Sequence, residues 1–291
     1  MKRSPLKAPK EGAGKSNLPA KLVREATKNP AISPDDVRVI SSAIHKGGTG
    51  KTTISVHLAH YIAAEGHRVL MVDCDTQGNS TQVFLDDDYH GPGVSGLFTK
   101  KGRTIVPVET NTTNVLLIPA DDGMVDIDGL NHGEEYLFRD NLRAVAAAAG
   151  CRYVVIDTPP TLTMGMLAPL VASNFAFSPF KPDSFGVKGI VSLHRRIEQI
   201  RVNHNPSLRY LGLLINLWNR RNADQNNVVA YLEQDLGEHL IEHKIGDRAA
   251  IARVAFSRIP VWAHNTGAAR VASKEMRAAM GWIFTQMEHQ S

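Results

Sequence analysis

From Val37 onward the chain alternates short, near-continuous apolar runs with longer stretches of helical periodicity. The runs occupy residues 37–44, 69–73, 115–119, 153–157, 175–180 and 210–215, with a fainter one at 240–245. Strands apolar on both sides are what a parallel sheet covered on both faces requires, because neither face meets water. Helical patterns fill the gaps at 52–64, 135–149, 165–173, 186–202, 224–236, 249–257 and 273–287. The alternation predicts an α/β fold, a doubly wound, mostly parallel sheet with helices on both faces and ligands at the carboxyl ends of the strands. No long internal repeat is visible, so one domain over 37–291 is expected behind an N-terminal arm, 1–36.

The first run ends in Ile44-His45-Lys46-Gly47-Gly48-Thr49-Gly50-Lys51-Thr52-Thr53 and opens directly into a helical pattern. The usual phosphate-loop spacing asks for glycine where His45 stands, so the strict motif is not met. Three closely spaced glycines still let the backbone turn tightly and aim successive N–H groups at phosphate oxygens. The helix N-terminus adds partial positive charge at the same spot. Gly47, Gly48, Thr49, Gly50, Lys51, Thr52 and Thr53 are therefore the candidate phosphate contacts, with Lys51 for the β- and γ-phosphates and Thr52 for Mg²⁺.

Two further strands end in carboxylates. In Asp73-Cys74-Asp75-Thr76-Gln77-Gly78-Asn79, strand alternation points the side chains of Asp73 and Asp75 the same way and Cys74 the other. In Tyr153-Val154-Val155-Ile156-Asp157-Thr158-Pro159-Pro160, a hydrophobic strand delivers one carboxylate suited to holding Mg²⁺ directly or through water. The two prolines stop the strand and fix its exit, which suits a segment that senses a γ-phosphate.

With these motifs in order over residues 37–290, the chain resembles the deviant Walker A ATPases, whose loop reads Lys-Gly-Gly-x-Gly-Lys-Thr, and most closely the ParA/Soj DNA-partitioning ATPases. The resemblance implies ATP and Mg²⁺ as cofactors and a homodimer that sandwiches two ATP molecules. In it Lys46 reaches across to the phosphates held by the other subunit, an arginine-finger role. Asp75 inherits the positioning of the attacking water close to the metal, Asp157 the metal itself, and Asp73 a supporting place; Thr76 stands where the family usually has proline. Catalysis is then carried by Lys46, Lys51 and Asp75, and the metal by Thr52, Asp157 and Asp75. Asn216, near the end of the sixth run, is the candidate adenine contact, since an amide both donates and accepts. Arg220, Arg221, Arg248 and Arg253 are the candidate contacts to nonspecific double-stranded DNA. The late segment departs from the family, with Gly246 for the usual proline and Arg253-Val254 for a Glu-Ala pair. The implied activity is slow ATP hydrolysis, stimulated by a ParB-like centromere-binding partner, that drives plasmid or chromosome segregation. The competing reading is a MinD/ParA-like ATPase positioning a protein or membrane-associated cargo.

Composition trims these possibilities. The 291 residues are 43% hydrophobic and 21% charged, an ordinary globular profile that excludes whole-chain disorder. The net charge of +4 is uneven, because residues 1–30 hold eight basic against two acidic side chains, a local +6, and the remainder sums to −2. Such an arm attracts polyanions without reading sequence. Two cysteines cannot build a disulfide framework and suit a reducing compartment. They lie in or beside strands, unlike the cluster ligands of an iron-protein-like reductase, and no Cys-x-x-Cys exists for a zinc-joined relative. No long apolar span or secretory leader is read, so a cytoplasmic, nucleoid-associated protein is expected and a membrane partner is not. The C-terminal stripe Met276, Met280, Ile283, Phe284 and Met287 carries few lysines for anionic lipid and is expected in the core.

Overall fold

The computed structural model describes residues 32–43, 47–85, 89, 91–129, 133–161, 163–183 and 186–289. Lys46 and nearly all of the basic arm lie outside the described residues. Seven strands form one sheet: β1 (Arg38–Ser42), β2 (Val69–Asp73), β3 (Val108–Glu109), β4 (Val115–Ile118), β5 (Tyr153–Asp157), β6 (Phe175–Phe180) and β7 (Arg209–Ile215). Their spatial order is β3-β4-β2-β5-β1-β6-β7, parallel throughout except for the β3 edge. The helices are α1 (Lys51–Ala64), α2 (Asn79–Phe84), α3 (Glu134–Ala148), α4 (Met164–Ala172), α5 (Gly186–Asn203), α6 (Ala223–Leu236), α7 (Ala249–Ala252), α8 (Val254–Ser257) and α9 (Gly267–Glu288).

Near-continuous apolarity in the strands serves two cores at once. Ile40, Met71 and Val155 pack with Ile54, Leu58 and Ile62 of α1 and Met276, Met280 and Ile283 of α9. Their strand neighbours Val39, Leu70, Val72, Val154 and Ile156 pack on the opposite face with Phe138 and Leu142 of α3. The α9 stripe packs in the core, with Met276, Met280, Ile283 and Met287 fully buried and Phe284 partly buried against them. Each such side chain contributes roughly 2 kcal/mol of burial. No helix among the described residues is long and apolar enough to cross a membrane. Cys74 and Cys151 are free and buried.

Several boundaries differ from the pattern's prediction. Segment 240–245 is no strand: it touches β7 through an isolated bridge at Leu213–Leu240 and through the Ile241 and Ile245 N–H groups, which donate to the Leu213 and Ile215 carbonyls at 2.9 Å each. Gly212 makes room for it, since a Cβ there would lie 2.3 Å from the carbonyl oxygen of His239 and its φ is +109°. The helix expected over 249–257 breaks at Arg253 into α7 and α8, because the first turn packs on α9 and the second on α2. Helix α9 begins at Gly267, earlier than expected, capped by Thr266, whose Oγ1 accepts the Ala269 N–H at 3.2 Å. The two-residue β3 and the polar opening of α2 are too short or too weakly periodic to read from the pattern.

Candidate phosphate and metal site

Strands β1, β2 and β5 end side by side, and the segments leaving their carboxyl ends form the site. After β1 the glycine-rich turn runs into α1 through Gly50, which caps the helix with φ +90°. A Cβ on Gly50 would fall 2.3 Å from Nδ2 of Asn216, so only glycine fits here. That amide donates to the Thr49 carbonyl at 2.8 Å, while Asn216 itself is 1% exposed. Asn216 thus braces the phosphate loop from below, and its Oδ1 is buried without a hydrogen-bond partner. Lys51, first in α1, is buried. Burial lowers its ammonium pKa, an effect opposed by the charges of Asp157 and Asp75.

The two strand-end carboxylates aligned in register, Asp73 and Asp157, are both fully buried yet differ in their partners. Asp73 accepts the Thr81 N–H and hydroxyl at 2.8 Å each and the Asp75 N–H at 3.1 Å. Among the described residues neither oxygen of Asp157 is held by a hydrogen bond of normal geometry, and the Thr52 hydroxyl is the polar neighbour that bears on it. Burial and the Asp73 charge hold the Asp157 carboxyl well above the ordinary range, against the pull of the Thr52 hydroxyl and the Lys51 ammonium. Asp75, 8% exposed, closes a turn by accepting the Gln77 N–H at 3.1 Å. The hydroxyl of Ser42, at the end of β1, is also buried and has no partner among the described residues, and the Ser42 carbonyl accepts from the Thr158 hydroxyl.

The arrangement fits a phosphorylated ligand with a divalent cation. Among the described residues, no three His, Cys, Asp or Glu side chains form a metal cage. A cation here would be held by Thr52, Asp157 and the ligand's own oxygens, the way Mg²⁺ is usually bound at phosphates. The fold therefore brings Gly47 to Thr53, Asp75, Asp157 and Asn216 together, with Asp73 as the brace of the second turn.

The predicted DNA contacts do not form one set. Arg248 donates through Nε and Nη2 to Glu275 at 2.8 and 2.6 Å, and the Gly246 N–H joins the same carboxylate at 3.1 Å. Arg220 reaches Glu275 at 4.0 Å and lies over the Trp218 ring. Arg221 and Arg253 are exposed. Arg270, Lys274 and Arg277, outside that predicted set, are all exposed and spaced i, i+4, i+7 on α9, a spacing that helical periodicity makes legible in the sequence.

A family model described as the AAA domain matches residues 37–210. Protein IncC of Escherichia coli is 32% identical over 256 residues, spanning 87% of this chain and 70% of its own length. The chromosome partitioning protein ParA of Caulobacter vibrioides is 30% identical over 216 residues, 72% of this chain and 81% of that protein. Among solved structures, cobyrinic acid a,c-diamide synthase from Mycobacterium smegmatis, with bound ATP analogue and magnesium, is 26% identical at a TM-score of 0.66, covering 76% of this chain and 91% of its own.

Proposed function

Because this chain belongs to the ParA/Soj-type partitioning ATPases of the deviant Walker A class, we propose that it is a magnesium-dependent ATPase whose ATP-bound dimer holds DNA. The dimer binds double-stranded DNA without sequence preference and releases it after slow hydrolysis stimulated by a ParB-like partner. The observation that carries this reading is Asp157, a fully buried carboxyl whose oxygens no hydrogen bond of normal geometry holds among the described residues, beside Thr52 and the buried Lys51. Burying an unpaired carboxylate costs stability, which a bound cation offsets.

Loop N–H groups and Lys51 hold the phosphates, while Thr52 and Asp157 hold the metal. Bound magnesium neutralises charge on the β- and γ-phosphates. Asp75, fixed in its turn, orients the attacking water, and Lys46 supplies a cation to the partner's phosphates. Asn216 serves by bracing the loop, since its donor is already committed to Thr49. For DNA, Arg253 joins Arg270, Lys274 and Arg277, with Arg221 nearby in sequence to Arg220. Residues 246–287 hold six basic against two acidic side chains, a local +4, whereas residues 37–291 as a whole sum to zero. Contacts of this kind act on phosphates by counterion release. The arm, 1–36, adds to the same attraction, and the protein acts in the cytoplasm on the nucleoid.

Size and DNA binding measured together test the reading. With Mg²⁺ and a nonhydrolysable ATP analogue, sedimentation should report a dimer, and DNA affinity should rise over the ADP and nucleotide-free states. Lys46→Ala should bind ATP yet stay monomeric. A wild-type protein that remains monomeric and binds DNA equally in all three states overturns the proposal.

A further inference from the structure

Helix α1 buries two histidines that its packing does not require. His57 is fully buried, one turn after Thr53 of the phosphate loop. Its Nδ1 lies 2.6 Å from the Thr53 carbonyl oxygen, and its Nε2 accepts the Val261 N–H at 3.2 Å. An accepting Nε2 leaves the proton on Nδ1, so the ring is neutral and both nitrogens are committed. Burial pushes its pKa down to about 4, which keeps that state at neutral pH. Trp262 meets the ring edge-on at 5.4 Å, and the guanidinium of Arg277 lies over Trp262 at 4.8 Å.

A leucine would fill this volume as Ile54 and Leu58 fill theirs, without the cost of burying a polar ring. His60, one turn away, shows the contrast: it packs on Phe84 at 5.1 Å and its Nε2 has no partner. Of the two, only His57 joins elements 204 residues apart through directed hydrogen bonds.

We propose that His57 is a positioning residue that passes the state of the phosphate loop, through Val261 and Trp262, to the basic face of α9 at Arg277. One end of this strut is the carbonyl next to Thr52; the other is the surface assigned above to DNA. Any displacement of the first turn of α1 carries the Thr53 carbonyl, and with it the ring, the Val261 backbone and the Trp262 side chain. The inference rests on the nucleotide reading of the loop.

Hydrogen exchange on the full chain tests it, read with and without Mg²⁺ and a nonhydrolysable ATP analogue. In the wild type the analogue should slow exchange over residues 258–264. His57→Leu should hold the analogue within about threefold of wild-type affinity, lose that protection, and cut the ratio of DNA affinities with and without ATP about tenfold, the usual size of such couplings. His57→Gln, which keeps an acceptor at similar reach, should restore part of both, and His60→Leu should change neither. Trp262→Leu repeats the test should His57→Leu fail to fold. Wild-type protection in folded His57→Leu or Trp262→Leu overturns the inference while leaving the nucleotide reading intact. Failure of the wild type to bind the analogue overturns both.

Discussion

At the carboxyl edge of the sheet, the β1–β2–β5 side and the β7–α9 side treat charge in opposite ways. On the first, Asp157 and the Ser42 hydroxyl are buried with open valences. On the second, Glu275 accepts two donors from Arg248 and one from Gly246. Burial works against ionised Glu275, but these partners outweigh it and hold its carboxyl below the ordinary range. Asp73 is the internal control, since it lies in register with Asp157 and shares its burial yet is fully partnered. Burial alone therefore does not mark a ligand site; here burial with unmet hydrogen-bonding capacity coincides with the strand ends that flank the glycine-rich loop. One side is finished by folding, and the other is left for a ligand to finish.

The largest expected effect falls on the open side. Lys51→Ala should lower Mg·ATP affinity more than about 100-fold, the size expected for a buried cation facing phosphate. Calorimetric titration measures it, and Glu275→Gln should stay within about threefold of wild type in the same assay. Equal losses in the two variants would erase the distinction between the sides.

Next comes the strut that joins them. His57 has a folded pKa of about 4 against an ordinary 6.5. Between these values the unfolded chain binds more protons, so the contribution to stability is complete above the upper value and is lost as pH falls toward the lower. The loss is at most about 3 kcal/mol. Urea unfolding at pH 7.5, 6 and 5 should show it, and His57→Gln should flatten the slope. His60, whose pKa is pushed down to about 3, leaves a remainder of the same sign.

Smaller effects, of opposite sign, separate Asp157 from Glu275. Asp157→Asn should stabilise the ligand-free protein by about 1–3 kcal/mol, because it removes a carboxyl that stays buried only by taking up a proton. The same variant should lose the added stability that Mg²⁺ and ATP confer. Glu275→Gln should destabilise by about 1–2 kcal/mol by stranding Arg248. Thermal unfolding with and without Mg·ATP reads both, and a stabilised Glu275→Gln would contradict the closed description of that side.

Legibility in the sequence divides along the same line. The parallel strands, α1 and the three motifs are local patterns, and each is legible because its chemistry sits in consecutive residues. The brace of Asn216 on Thr49 spans 167 residues, the His57–Val261 bond 204, and the Arg248–Glu275 pair 27. No periodicity encodes such partners. The strand-end position of Asn216 places it beside the glycine-rich loop, but the atom it touches depends on how β7 lies against that loop. Arg248 reads as a surface cation because nothing near it in sequence announces its carboxylate. The split at Arg253 likewise depends on two different neighbours, α9 and α2, pulling on successive turns.

The smallest effects belong to the exposed face of α9, where they discriminate best. Arg270 and Lys274 are exposed, so alanine at either should change stability by no more than about 0.5 kcal/mol. Each phosphate contact contributes about 0.9 to the slope of log affinity against log salt, so either variant should reduce that slope by about one unit for every DNA sequence tried. Arg248→Ala should do the reverse, costing more stability through the stranded Glu275 and leaving the slope nearly unchanged, since its guanidinium is already paired. Fluorescence anisotropy on two unrelated duplexes across a salt series provides the measurement. If Arg248→Ala lowers the slope and the α9 variants do not, the paired side is the one that opens to DNA, and the contrast between a finished and an unfinished edge holds only for the nucleotide-free protein.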